Sequence, residues 1–442
     1  MFFRSTYLTN RFFAVLIVLA ILFIIGYAVP AVAMLAKVAF FGWVVLIVMD
    51  LVSLFKIKNG IEAKRIHDAK LSNGDDNDIT VNIKSNYEYN LNAEIVDEIP
   101  HQFQRRDISW KIDLPKEETK NLVYKLRPLK RGEYSFGAIN IYVSTLVGLI
   151  QRRYTFPSDT LVPVYPSIIQ MKKYEFSAFT NNLTELGLKR IRRIGQTTEF
   201  DQIKEYVRGD DPRNINWKAS AKSTGLMVNH YEDEKSQPIY CIIDKGRLLR
   251  SPFDGLTLLD YSVNSTLVMT NVALRKQDKA GIITFSNKMS SVVKADRKSG
   301  QLNRILETLY NQKTFYKESN FEILAGFVQR RITNRSLLLL YTNFESMSSY
   351  RRQLPYLRML SKKHLVVVIF FENTELDDII QSDPESNEAL YTQVVAEKFA
   401  LEKQLIVSDL KKNGIHSILT APENLNVNTI NKYLEFKARG MV

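Results

Sequence analysis

The sequence predicts a multidomain chain in which an N-terminal transmembrane α-hairpin precedes a β-sandwich and then a Rossmann-like α/β domain. Three observations carry that reading. Charge almost vanishes between Phe12 and Phe55, short segments of alternating apolar and polar residues fill the stretch from Ile79 to Val164, and continuous apolar strands alternate with helical stretches from Pro238 onward. At 442 residues the chain is long enough for a membrane segment and more than one compact domain.

The hairpin comes first, within residues 1–58. Lys37 and Asp50 are the only charged side chains between Phe12 and Phe55. A spanning helix needs about 20 apolar residues, so the stretch suits two spans, Phe12 to Ala28 and Val38 to Phe55. Val29-Pro30-Ala31 interrupts them and places Lys37 in the connection, from which its stem extends toward the interface. The apolar run is too long for a cleaved signal peptide. Arg4 and Arg11 precede the first span, and Lys56, Lys58, Lys64 and Arg65 follow the second. Basic flanks favour the cytoplasmic side, so the body of the chain is expected to face the cytoplasm from a bacterial inner membrane. Asp50 reads as a residue near the interface, with a helix-packing or polar contact as the alternative.

Residues 59–75 are polar and read as a linker. Over 76–165 the segments ITVNIKS and YNLNAEIVDEIP alternate as half-buried strands do, and NLVYKLRPLKRGEYSFGAINIYVST reads as two strands joined at Lys130-Arg131-Gly132. Short strands at this spacing predict a β-sandwich. Residues 166–237 form a charged connector. In 238–442 apolar strands begin near Ile239, Ala280, Ser336, His364 and His416, with helical stretches between them. That rhythm predicts a parallel sheet covered on both faces.

The connector holds the densest chemistry. Glu205, Asp210 and Asp211 lie among Arg208, Arg213 and Lys218, with Gly209 between charges and Tyr206 and Trp217 as flat apolar surfaces. Arginine's planar fork suits bidentate carboxylate contacts or stacking on a ring. Two readings stand: an internal salt-bridge network that locks the connector onto the sheet domain, or a recognition surface for a partner protein.

The run from Glu205 to Ala221, EYVRGDDPRNINWKASA, resembles the signature of the bacterial domain of unknown function 58 family, whose members are usually described as associated with MoxR-type AAA+ ATPases. Arg131-Gly132-Glu133-Tyr134 and Leu146-Val147-Gly148-Leu149 resemble the family's upstream pattern, although Ser144-Thr145 stand where the family often has Asp-Pro. The resemblance implies a von Willebrand factor A-like domain from about residue 238. Such domains can hold a divalent metal through an Asp-x-Ser-x-Ser run after the first strand, since carboxylate and hydroxyl oxygens suit a hard cation. Here that run is Asp244-Lys245-Gly246-Arg247-Leu248, without either serine, and the later aspartate corresponds to Asn343. No competent metal site is expected; Asp244 and Asn343 are the weak candidates for a divalent ion.

Signals for chemistry in cis are absent. The sequence has no GxxxxGK[ST] phosphate loop, GxGxxG fingerprint, HExxH or CxxC, and its lone Cys241 lies inside an apolar strand. The net charge of +13 points to a negative partner. Anionic lipid accounts for it better than nucleic acid, because basic residues are interleaved with acids except at Lys189–Arg193. The sequence therefore predicts a membrane-anchored interaction or scaffold protein and not an enzyme. The resemblance implies a MoxR-type AAA+ ATPase as partner, in protein maturation or stress response. The alternative is a metal-dependent adhesion module binding a carboxylate-bearing partner.

Overall fold

In the computed structural model the described residues are 5–105, 108–179, 198–207, 210, 212–223, 225–233, 237–314, 316–382, 384 and 386–441. The chain divides into two compact units, Met1–Tyr165 and Pro166–Val442.

The first unit runs β1 (Thr6–Leu8), α1 (Asn10–Ala28), α2 (Pro30–Phe55), β2 (Ile61–Ile66), β3 (Leu71–Ser72), β4 (Asn77–Ser85), β5 (Leu91–Asp97), β6 (Ser109–Leu114), β7 (Thr119–Leu126), β8 (Gly132–Phe136), β9 (Ile139–Ser144), β10 (Ile150–Phe156) and β11 (Thr160–Tyr165). Helices α1 and α2 are both long and apolar enough to cross a membrane. The second begins eight residues earlier than the sequence reading placed it, so the turn shrinks to Val29. Pro30 causes this: at the first helical position its missing N–H costs nothing and its fixed φ starts the helix. Lys37 consequently lies inside α2 and not in a connection. Near the turn the helices meet closely, since a Cβ on Gly26 would come within 2.8 Å of Ala33 Cα.

The strands form a five-stranded sheet, β1-β10-β9-β5-β6, and two three-stranded sheets, β2-β4-β7 and β3-β11-β8. Strict alternation along β4 and β5 sends Ile79, Val81, Ile83, Ala93 and Ile95 into a core shared with Ile139, Ile141 and Val143 of β9. Residues 59–75, read from sequence as a linker, instead carry β2 and β3; Glu62 and Lys64 of β2 are its outward polar residues. The stretch read as two strands joined at Lys130-Arg131-Gly132 is three, β7 to β9, because a second break at Gly137-Ala138 separates β8 from β9, where both residues bond to the Glu98 backbone. Arg65, read as a basic membrane flank, is buried: its guanidinium pairs with Asp97 and donates to the carbonyls of Gly137 and Ser158, and Tyr124 donates to the same carboxylate. The buried pair is fully hydrogen-bonded, which offsets its desolvation.

β1 precedes the hairpin yet pairs antiparallel with β10, through Thr6↔Arg152 and Leu8↔Ile150. Both ends of the hairpin therefore enter one sandwich.

The second unit runs α3 (Ile168–Phe179), β12 (Thr198–Glu205), α4 (Trp217–Ser220), β13 (Met227–Asp233), β14 (Pro238–Asp244), β15 (Pro252–Phe253), β16 (Leu256–Thr257), α5 (Leu258–Arg275), β17 (Lys279–Phe285), β18 (Met289–Asp296), α6 (Gln301–Tyr310), α7 (Phe321–Arg331), β19 (Leu337–Tyr341), α8 (Met347–Ser361), β20 (Leu365–Phe371), α9 (Glu375–Gln381), α10 (Asn387–Lys412), β21 (His416–Thr420) and α11 (Leu425–Ala438). Its main sheet has the order β18-β17-β14-β19-β20-β21, parallel throughout except for the antiparallel edge strand β18. This is a doubly wound order with its reversal between β14 and β19. Alternate residues of β14 serve opposite faces: Ile239, Cys241 and Ile243 pack with α5 and α11, and Tyr240 and Ile242 with α7 and α8. Strand β18 escaped the sequence reading because its SSVVKAD pattern is that of a half-exposed edge, unlike the continuous apolar strands beside it.

The 166–237 stretch is more than a connector. Helix α3 sets Met171 and Tyr174 against the α5 side of the core, and Asn264 accepts the Ser167 N–H at 2.9 Å.

Candidate functional site

Two places hold the residues singled out from sequence. The first is the crevice at the carboxyl ends of β14 and β19, where a doubly wound sheet ordinarily binds its ligand. Asp244 ends β14 and is buried. Its Oδ1 accepts the Gly246 N–H at 2.8 Å and the Ser319 hydroxyl, and its Oδ2 accepts the Thr342 hydroxyl at 2.7 Å. Burial raises its pKa, and these three donors pull the other way. Asn343 lines the same crevice, and its side-chain oxygen accepts the Phe344 N–H at 3.1 Å.

The crevice holds about 40 Å³ and carries its own cation. Arg247 reaches Glu345 at 3.2 Å and Glu318 at 3.4 Å. Lys245 turns away and donates to Ser290 Oγ at 2.7 Å. A divalent ion takes oxygen ligands from carboxylates, hydroxyls and water. Here the buried carboxylate already serves three donors, and the Arg247 guanidinium occupies the rim with Glu318 and Glu345. Among the described residues, no three His, Cys, Asp or Glu side chains gather as a metal cluster. Ser319 and Thr342, the groups that hold Asp244, were not found from sequence. Thr342 adjoins Asn343 and could have been weighed; Ser319 comes from a loop with no local signal.

A larger concavity, of about 1070 Å³, opens at the opposite end of the strands, where β14 and β17 begin. Lys279, Lys294, Arg304, Arg331 and Arg335 line it, together with Lys298, which lies 3.6 Å from Asp296. This wall contributes to the positive charge of the chain.

The second place is the charged motif. Strands β12 and β13 pair antiparallel, with Glu205 opposite Met227 and Lys204 opposite Val228, and the described residues of the motif after Glu205 lie between them in sequence. The Tyr206 N–H donates to the Leu226 carbonyl at 2.8 Å. Asp210 accepts from the Val207 N–H at 3.0 Å and from Lys204 Nζ at 3.0 Å. Asn216 organises the far side: it caps α4 at the Ala219 N–H, donates to Asn229 Oδ1 at 2.9 Å, and its own N–H bonds the Met227 carbonyl. Neither Lys204 nor Asn216 was singled out from sequence, although Asn before a short apolar run is an N-cap signal.

This internal order leaves a particular set of side chains outside. Glu205, Arg213 and Lys218 are exposed, Tyr206 is half-buried, and Trp217 is 70% exposed. Arg208, Gly209 and Asp211 lie outside the described residues, as do Lys189–Arg193. Cys241 is buried, and burial pushes its thiol up to about 12, which suppresses the reactive thiolate.

Residues 202–402 match the family model described as protein of unknown function DUF58, so the likeness carried by the Glu205–Ala221 motif is borne out over that span. The uncharacterized protein YeaD of Bacillus subtilis (strain 168) is 22% identical over 203 residues, which are 44% of this chain and 50% of that protein. The chain thus spans about half the length of the curated relative it matches. Solved structures resemble parts of the chain. The conserved hypothetical protein BatB from Bacteroides thetaiotaomicron is 11% identical, covering 46% of this chain and 99% of that one at a TM-score of 0.30. The SpRpn10 VWA domain is 10% identical, covering 45% and 95% at 0.29. The CARDB domain of the PF1109 protein from Pyrococcus furiosus is 15% identical, covering 24% and 86% at 0.17.

Proposed function

We propose, starting from the family match over residues 202–402, that this chain is a membrane-anchored interaction protein that works by contact and carries no catalytic site of its own. One observation carries the reading. The described residues of the family motif bond to one another and to β13 while Trp217, Glu205, Arg213 and Lys218 are exposed. Exposed tryptophan and arginine within one short motif match the residue types enriched at interface hot spots.

The partner class that the family likeness favours is a MoxR-type AAA+ ATPase, which would supply ATP-driven work in trans to a chain without a phosphate loop. Two long apolar helices whose ends enter one sandwich support a membrane hairpin with the body on a single side. Arg4, Arg11, Lys56, Lys58 and Lys64 support the cytoplasmic side of a bacterial inner membrane. Arg65 is no longer counted, since its charge is spent on Asp97. The metal-dependent adhesion reading is disfavoured by the three donors on Asp244 and by the Arg247 guanidinium beside it.

The test is affinity capture from native membranes, with and without chelator, using wild type, Trp217→Ala and Lys218→Glu. An AAA+ ATPase retained by wild type in chelator, and lost from both variants at unchanged thermal stability, is the expected result. Capture that needs a divalent ion, or that both variants retain in full, would overturn it.

A further inference from the structure

The loop between β9 and β10 is held from three sides by the hairpin. Asp50, a buried carboxylate in the last two turns of α2, accepts the N–H groups of Leu149 and Ile150, each at 3.0 Å, and the Thr145 hydroxyl. Thr9, the N-cap of α1, donates to the Gly148 carbonyl at 2.7 Å. Arg11 reaches the Leu146 and Val147 carbonyls at 3.3 and 3.4 Å. Much of the loop's polar backbone is thus bonded, while its two tip side chains are exposed, Leu146 at 73% and Val147 at 44%.

The end of α2 is fixed just as firmly. Its last carbonyls, which have no partner within the helix, are taken up by the sandwich. Tyr89 donates to Ser53 O at 2.7 Å, Tyr87 to Leu54 O at 2.7 Å, and Arg152 to Leu54 O and Ile57 O at 2.6 and 2.7 Å. The loop therefore stands at a set height beside α2. Asp50 lies five residues before Phe55, or about 7.5 Å along the axis, and Leu46 lies about 13.5 Å from the same end. A cavity of about 260 Å³, with Asp50, Asn90 and Thr145 in its wall, joins Leu46 and Met49 of α2 to Tyr89, Leu146 and Val147. The exposed apolar belt of the hairpin continues through Met49 to the loop tip, and the Asp50 carboxylate between them is buried and bonded.

We propose that the Thr145–Leu149 loop is a lipid-inserting element. Leu146 and Val147 enter the leaflet beside the end of α2, and the cavity behind them takes an upper segment of an acyl chain. The inference rests on the membrane-anchor reading and adds to it a third, non-spanning contact. The Asp50 carboxylate, the Leu149 and Ile150 N–H groups and the Leu146, Val147 and Gly148 carbonyls are already bonded, which lowers the cost of bringing the loop to the leaflet. Three contacts with the bilayer would set the orientation of the sandwich on the membrane, which a two-helix anchor on a free tether would not.

The experiment uses the full chain in phosphatidylcholine–phosphatidylglycerol vesicles, in a Cys241→Ala background, with an environment-sensitive nitrobenzoxadiazole probe on a single new cysteine. Leu146→Cys tests the loop, Val45→Cys reports α2, where the residue is 50% exposed, and Val123→Cys reports strand β7, where it is 58% exposed. All three positions are surface ones, so the substitutions leave folding essentially intact. The expected result is blue-shifted emission at Leu146, quenched several-fold more strongly than at Val123 by lipids spin-labelled near the top of the acyl chain. A lipid-buried probe at Val45 with an aqueous one at Leu146 would overturn the loop proposal alone. Aqueous probes at both would overturn the anchor reading and the loop with it.

Discussion

The Asp50 carboxylate, inside an otherwise apolar helix, accepts the backbone N–H of Leu149 at 3.0 Å, ninety-nine residues away in the sandwich. With Ile150 and Thr145 on the same group, one side chain joins the hairpin to the folded body. Removing it leaves buried N–H groups without an acceptor. Asp50→Ala is expected to lower the stability of the first unit by about 1–3 kcal/mol. Asp50→Asn, which keeps one acceptor oxygen, should lose less. Thermal unfolding in nanodiscs, with protease cleavage near β10 as the local readout, checks both.

At the switch-point crevice Asp244 has a structural task. Calorimetric titration with Mg²⁺ or Mn²⁺ is expected to show no binding at micromolar concentration. Asp244→Ala should cost about 1–3 kcal/mol, because Thr342, Ser319 and the Gly246 N–H lose their acceptor. That loss should be equal with and without chelator in a denaturant melt.

Lys403, on α10, donates to the Phe371 carbonyl, and burial lowers its pKa from 10.5 to about 8, with Glu372 opposing the shift. Between those values the unfolded chain holds the proton and the folded chain does not, so stability rises with pH across that window. Below about pH 8 the full cost of burying the cation is present. Lys403→Met is expected to gain about 1–3 kcal/mol at pH 7, and the gain should shrink as pH climbs toward 10.5. Melts at pH 7, 9 and 10 check the slope.

The legible parts of the sequence were those with one strong period. Ile239–Ile243 and His364–Phe370 announced themselves as buried parallel strands, and the empty charge pattern from Phe12 to Phe55 announced the hairpin. Elements defined by distant partners were hidden. β1 is three residues long and makes sense only against β10, and β2 looks polar because Glu62 and Lys64 face out and Arg65 is buried on the distant Asp97. Asp50 was read as an interface residue because its donors lie about a hundred positions downstream. The motif was legible as a motif, but its division into inward and outward residues was not: Asn216 and Lys204 carry the internal order, and Trp217 is left outside.

The central claim is that this outward set is a docking surface. The most direct test places a photo-crosslinking benzophenone amino acid at Trp217 in the full chain and irradiates native membranes. The account predicts a discrete adduct with an AAA+ ATPase, absent when the same group replaces Val123 on strand β7. Adducts formed only within the chain itself, or equally from both positions, would contradict it.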